Sequence, residues 1–137
     1  MAEEDRFDNW QYPEIEEASL TKYNWLVQNK AGLRLGYKTD IGAFTYINAK
    51  YVVTIEDFVQ IGSHCSIYSI STIDEKIGPV TLKKGCRVGS HSVIMPGVTI
   101  GENAIVGAFS FVNADIPDNA VAFGVPARVR VKEKQVL

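Results

Sequence analysis

The chain has 137 residues, 46% of them hydrophobic, with a formal net charge of −2 and two cysteines. That length and composition suit one domain with its own core, and exclude a disordered chain, a strongly basic nucleic-acid binder and a disulfide scaffold. No apolar run approaches the ~18 residues of a membrane span and nothing resembles a signal peptide, so a soluble, cytoplasmic protein without membrane insertion is expected.

The charge is uneven: seven of the sixteen acids fall in residues 1–17. That acidic, aromatic segment (Phe7, Trp10, Tyr12) ends at Pro13 and reads as an extended arm. Pro13 followed by Glu14, Glu16 and Glu17 is a helix-opening pattern, and Leu20, Tyr23, Trp25, Leu26 and Val27 give a loose helical face that would end near Ala31-Gly32. Extended or helical, residues 1–34 are expected to cap the N-terminal end of the folded core. Tyr23 and Trp25 are also able to stack on a base or a sugar.

From Leu35 the apolar residues recur every sixth position: Leu35, Ile41, Ile47, then Ile55, Ile61, Ile67, then Leu82, Val88, Ile94, Ile100, Val106, Val112. A period of six is neither helical nor a plain alternation. It describes a short strand and a corner, repeated, and such short units bury their apolar face only by stacking as a parallel β-helix. The small residue two places before the aliphatic (Thr39, Thr45, Cys86, Ser92, Ala104, Ser110) points inward by strand alternation. The residue after it is often glycine, read here as a bend that needs positive φ; Asn48 and Asn113 fill that slot as tolerant substitutes. Three hexads make an 18-residue coil, so residues 35–126 give about five coils, and the repeat region is taken as 35–131 with a basic tail at 132–137.

The register slips twice. Two residues are inserted near Lys50–Val53, and beyond Ile67 the count fails until Leu82. With Ile73 taken as a hexad start, the surplus lies in 73–80 and is expected to project as a loop, carrying Asp74 and Glu75 toward an acceptor. In that count the Val88 hexad stacks on the Ile67 hexad. His91 then sits over Ile70 near the loop root, His64 is one face away and out of reach within one chain, and the Cys65 and Cys86 thiols lie one above the other as small core residues.

The stretch IGSHSVIMPGVTIGENAIVGAFSFV followed by DIPDNAVAFGVPARV resembles the hexapeptide-repeat acyltransferases, in particular the maltose, galactoside and xenobiotic O-acetyltransferases and the sugar-nucleotide N-acetyltransferases of surface-polysaccharide pathways. The resemblance covers roughly 35–131. It implies a left-handed parallel β-helix, a homotrimer, and acetyl-CoA as co-substrate in a groove between subunits. The left hand runs against the usual rule for parallel crossovers and comes from the resemblance alone. By the same resemblance Ser90, Gly107 and Ala108 lie along CoA, Asn113 lies at its adenine end, and Arg128, with Arg130 or Lys132, holds its phosphates. The O-acetyltransferase branch places a catalytic histidine at the loop base, where this chain has Thr72. A hydroxyl needs a base for acyl transfer, whereas a neutral amine is already nucleophilic, so N-acetylation of an amino sugar is favoured over O-acetylation. The candidate bases are His91, then His64; the candidate acceptor ligands are Asn48, Asp74 and Glu75. A non-catalytic β-helix scaffold is the other class considered, and two histidines fall short of the three ligands of a zinc hydratase on this fold, so no metal is expected.

Overall fold

The computed structural model describes residues 7–132; Met1–Arg6 and the tail residues from 133 on, Lys134 among them, lie outside the described residues. The chain is a parallel β-helix of about five coils, triangular in section.

The first coil holds β1 (Leu26–Gln28), β2 (Leu33–Leu35) and β3 (Asp40–Ile41); the second holds β4 (Tyr46–Asn48), β5 (Val53–Ile55) and β6 (Gln60–Ile61). The third begins with β7 (Ser66–Tyr68), throws out the antiparallel hairpin β8 (Ile70–Ser71) and β9 (Lys76–Ile77), and resumes with β10 (Val80–Leu82) and β11 (Arg87–Val88). The fourth is β12 (Val93–Ile94), β13 (Thr99–Ile100) and β14 (Ile105–Val106), and the fifth runs from β15 (Phe111–Val112) through a bridge at Ile116 to β16 (Val121–Gly124). A last strand, β17 (Ala127–Val131), turns back antiparallel on β16 and covers that sheet's edge.

Three faces result: β1-β4-β7-β12-β15, β2-β5-β10-β13, and β3-β6-β11-β14-β16-β17. Each carries one column of the six-residue repeat into the axis. On the first face Val27, Ile47, Ile67, Ile94 and Val112 are all fully buried. Burying each such side chain stabilises the fold by about 1.5–3 kcal/mol.

Pairing fixes the coil lengths. Ile47 pairs with Ile67 and Ile67 with Ile94, so the hairpin adds nine residues to an 18-residue coil rather than three. The stack expected from counting was therefore displaced: Val88 pairs with Ile61, not with Ile67. The error lay at Ile73. It is 98% exposed at the hairpin turn and is not a hexad position. Cys65 and Cys86 in consequence occupy different corners, and both are free and buried.

The arm is extended and turn-rich; residues 10–25 contain no helix. The hydroxyl oxygen of Thr21 accepts the backbone N–H groups of Tyr23 and Trp25, a local alternative to helical bonding. β1 pairs with β4, so the solenoid begins at Leu26. Trp25 fills the inward slot that smaller residues take in later coils, and is buried. With no coil beneath it, that slot has room for an indole. Glu17 pins the arm by accepting the backbone N–H groups of Asn29 and Lys30 at 2.6 and 2.8 Å.

Candidate functional site

The corner between the third and first faces gathers most of the predicted residues. Four non-glycine residues there take positive φ: Phe44, His64, His91 and Phe109, at 57–64°. The left-handed turn costs each roughly 1 kcal/mol. In return each N–H bonds the coil before: His64 to the carbonyl of Ala43, His91 to that of Ser63, Phe109 to that of Ser90, all near 3.0 Å.

Their rings form a column. Phe44 and His64 lie 5.4 Å apart, His64 and His91 stack at 4.8 Å with planes 2° apart, and His91 and Phe109 stack at 4.7 Å. Both histidines are exposed. The two candidate bases are therefore neighbours on successive coils, which corrects the separation expected from counting. The column was readable in principle, because all four residues fall three places after an inward aliphatic (Ile41, Ile61, Val88, Val106). The missing signal was the true length of the third coil.

The glycines of this corner have a different cause from the one expected. Gly62, Gly89 and Gly107 do not have positive φ. A Cβ on Gly62 would lie 2.6 Å from the Ser90 nitrogen, and one on Gly89 would lie 2.5 Å from the Ala108 nitrogen. Coils too close for a side chain are the reason. Asn48 and Asn113 likewise lack positive φ; the left-handed asparagines are Asn24, Asn29, Asn103 and Asn119. Beneath the corner, the small inward residues donate to those glycine carbonyls one coil on. Thr45 reaches Gly62 at 2.8 Å, Cys65 reaches Gly89 at 3.3 Å and Ser92 reaches Gly107 at 3.2 Å. Cys65 thus has a structural partner. Burial raises its thiol pKa and pushes that of Cys86 up to about 12, so both remain neutral and unreactive at ordinary pH.

Ser90 and Ala108 occupy the same position on successive coils of this corner, half-buried and exposed respectively. Its C-terminal end is basic. Arg130 lies over the Phe123 ring at 4.9 Å, and Phe123 packs where a Gly107 side chain would be, next to Ala108. Arg128 is exposed on β17 opposite Phe123, its guanidinium donating to the Ala127 carbonyl at 2.9 Å. Lys132 follows, exposed, at the end of the described chain. Asn113 stands apart, past β15 at the next corner.

The outer surface of the first face forms a cleft of about 470 Å³ under the hairpin, lined by Tyr46, Asn48, Tyr68, Ile70, Ser71, Thr72, Ile73, Asp74, Val93, Met95 and Phe111. His91, at the corner, precedes the cleft-lining Val93 by two residues, so the histidine column stands beside the cleft. Asn48 and Asp74 line the cleft, and Glu75 sits in the hairpin turn outside its lining. Asp74 pairs with Lys76 at 3.8 Å across the turn. The aromatic floor, Tyr46 and Tyr68, was not foreseen from the sequence. A larger cleft of about 610 Å³, between Phe7–Asp8 and the third face, contains none of the predicted residues. Among the described residues no group of three or more His, Cys, Asp or Glu stands close enough to hold a metal.

Comparison with known proteins agrees with this arrangement. The family described as bacterial transferase hexapeptide (six repeats) matches residues 79–114. A galactoside O-acetyltransferase of Lactococcus lactis is 32% identical over 112 residues, 71% of this chain and 54% of that protein. A dTDP-3-amino-3,6-dideoxy-α-D-galactopyranose 3-N-acetyltransferase of Aneurinibacillus thermoaerophilus is 52% identical over 56 residues, 41% of this chain and 29% of that protein. A hexapeptide-repeat acetyltransferase of Vibrio cholerae, solved with acetyl-CoA, superposes with a TM-score of 0.74 at 26% identity, covering 81% of this chain and 66% of the other. The chain spans about half or less of the length of these curated relatives.

Proposed function

We propose that this hexapeptide-repeat β-helix, related in sequence and fold to sugar O-acetyltransferases and sugar-nucleotide N-acetyltransferases, is an acetyl-CoA-dependent acetyltransferase acting on a sugar or sugar nucleotide of a surface-polysaccharide pathway. The observation that carries the reading is the single corner on which small residues, two histidines and a basic end converge beside a cleft. Ser90, Gly107 and Ala108 leave space for a pantetheine chain against the coils. Arg128, with Arg130 or Lys132, offers charge-assisted bonds to the CoA phosphates; Asn113, one corner away, is assigned to the adenine end by the resemblance alone. The acceptor lies under the hairpin, near Asn48 and Asp74, with Glu75 at the rim.

Transfer proceeds by attack of the acceptor nitrogen or oxygen on the thioester carbonyl. The C–S bond breaks, CoA leaves, and the acceptor proton ends on the sulfur. His91 takes that proton in passing. A corner backbone N–H faces the developing oxyanion. Holding both substrates in one cleft lowers the barrier by up to roughly 7–11 kcal/mol in ideal cases. Thr72, where the O-acetyltransferase branch keeps a histidine, favours an amine acceptor. The stacked His64–His91 pair supports a second reading, O-acetylation, because it supplies imidazoles close to the cleft in place of the loop histidine.

The test is acetyl-CoA binding by thermal shift, followed by thiol release with sugars, amino sugars and their nucleotides. Arg128→Ala is expected to weaken acetyl-CoA binding by about 1–3 kcal/mol while leaving turnover at saturating acetyl-CoA nearly intact. Unchanged affinity removes Arg128 from the donor site.

A further inference from the structure

We propose a second small-molecule site, at a different corner from the donor and acceptor: the cleft of about 610 Å³ between the arm and the third face binds a planar ring that carries an anionic group. The site goes beyond the acetyltransferase reading and does not depend on it, since none of its residues is assigned to either substrate.

The first observation is a gap in a column. At the corner between the second and third faces, the residues three places after the inward aliphatics Leu35, Ile55, Leu82, Ile100 and Ile116 are Lys38, Phe58, Gly85, Asn103 and Asn119. All five take positive φ, from 51° to 72°. From Phe58 onward each N–H bonds a carbonyl of the coil before, at 2.8–3.0 Å. The turn is the one that carries Phe44, His64, His91 and Phe109 at the other corner, where every coil supplies a ring and successive rings lie 4.7–5.4 Å apart. Here the third coil supplies no side chain. The backbone does not demand glycine at 85, because asparagine holds the same slot in the next two coils. Phe58 is 43% exposed. Tyr37, on the coil before, lies 6.2 Å from it at a steep tilt, and only the exposed Lys84 ammonium reaches over its ring from the coil after, at 5.7 Å. An exposed cation–π contact is weak and yields to a better partner. A ring seated in the Gly85 gap would stack on Phe58 as His91 stacks on His64.

The second observation is what surrounds the gap. The Asn103 side chain leans over Gly85, so that a Cβ there would lie 2.4 Å from its Oδ1. Its amide and that of Gln60 both line the cleft and suit the polar edge of a heteroaromatic ring. Lys38 and Arg87 line it as well, with Lys84 at the rim, and these cations suit the anionic group. Asp8 is the one acid of the lining and suits a hydroxyl of the ligand. The other acids nearby are turned elsewhere: Asp57 accepts the Tyr37 N–H at 2.8 Å, Asp40 lines a smaller cavity beside Trp10, and Glu102 is exposed outside the lining. A concave site of this volume, with an aromatic wall and a few convergent polar groups, has the make-up of a small-molecule site. Two sources carry the chemistry it selects, a nucleoside monophosphate and an aromatic carboxylate.

The experiment uses the full chain saturated with acetyl-CoA, so that a nucleotide cannot report from the donor corner. AMP and UMP are titrated beside 4-hydroxybenzoate and indole-3-carboxylate, by calorimetry and ligand-detected NMR. Adenosine, uridine and the corresponding amides are the neutral counterparts, and inorganic phosphate is the ringless one. At least one ring-bearing anion is expected to bind with a Kd of about 1 mM or below, tenfold or more tighter than its neutral and ringless counterparts. Binding by the nucleotides or by the carboxylates supports the site and tells the two sources apart. Gly85→Asn, which gives the third coil the residue of the two coils after it, should weaken that binding tenfold or more and leave acetyl-CoA binding unchanged. Phe58→Leu should do the same, and Phe58→Tyr should keep the wild-type affinity. Absence of binding by every ring-bearing anion, equal binding of a neutral or ringless counterpart, or unchanged affinity in both Gly85→Asn and Phe58→Leu overturns the proposal while acetyl-CoA use still stands. A wild-type chain that does not bind acetyl-CoA overturns the acetyltransferase reading instead, and the same titrations then decide the cleft without it.

Discussion

His64 and His91 stack with parallel rings on successive coils, enclosed by Phe44 and Phe109. The column fixes both imidazoles on one line, so a substitution at one removes a packing partner of the other. His91 is one coil nearer the basic end and two residues from the cleft wall at Val93. His91→Asn is therefore expected to cost more turnover than His64→Asn. For a hydroxyl acceptor the loss should reach about 10²–10⁴-fold. For an amine it should be smaller, and partly recovered at higher pH where the amine is neutral. Turnover of both variants from pH 6 to 9 decides the order. If His64→Asn loses activity and His91→Asn does not, the base is His64; if neither does, proximity and electrostatics suffice.

At the scale of the element, the corner and the arm each make a separate demand. Gly89 donates its N–H to Val106 at 2.8 Å, and this ladder fixes the distance between coils. A methyl group there meets backbone, which has no rotamer to escape into. Gly89→Ala is expected to lower the unfolding free energy by about 1–3 kcal/mol, read from the denaturant midpoint. Gly97 gives the contrast: an added Cβ there meets nothing within 4 Å, but φ is +84°, so its cost is one of backbone conformation. The arm depends on Glu17, whose carboxyl is held below the usual value of 4.5 by the Lys30 and Asn29 N–H groups. A carboxyl whose pKa is lower in the folded state contributes stability above its unfolded pKa and loses it as the pH falls through the folded one. Thermal melts of wild type and Glu17→Gln should therefore differ at pH 7 and converge as the pH falls from 4.5 through the lowered range of that carboxyl. A constant difference across that range would remove Glu17 as the clasp.

As a whole molecule, this β-helix keeps large apolar groups on its outside. Phe44 and Phe109 on the histidine corner, Ile73 and Ile77 on the hairpin, and Val125 at the last turn are all exposed. Those on the corner and hairpin flank the cleft, and patches of this kind mark interaction surfaces. A homotrimer in solution, with its clefts between neighbouring copies, is the expected assembly. Sedimentation at micromolar concentration checks it, and a stable monomer would refute it.

The sequence by itself determined the repeat. One inward aliphatic every six residues leaves no other way to bury a face than stacking, and Leu82 through Val112 allowed no other register. The small corner residues, the projecting segment after Ile67 and the basic end at Arg128 were equally legible, since each breaks or completes that period locally. Only the tertiary structure decided how the coils stack across the hairpin. Counting cannot tell an exposed isoleucine from a buried one, and Ile73 satisfied the pattern while pointing into solvent. Strand pairing resolved it, because the backbone ladder must close in register whatever the side chains suggest. That closure set His64 beside His91, parted the two cysteines, put Gly62, Gly89 and Gly107 where coils approach rather than where they turn, and brought Tyr46, Tyr68 and Asp74, scattered along the chain, into one cleft.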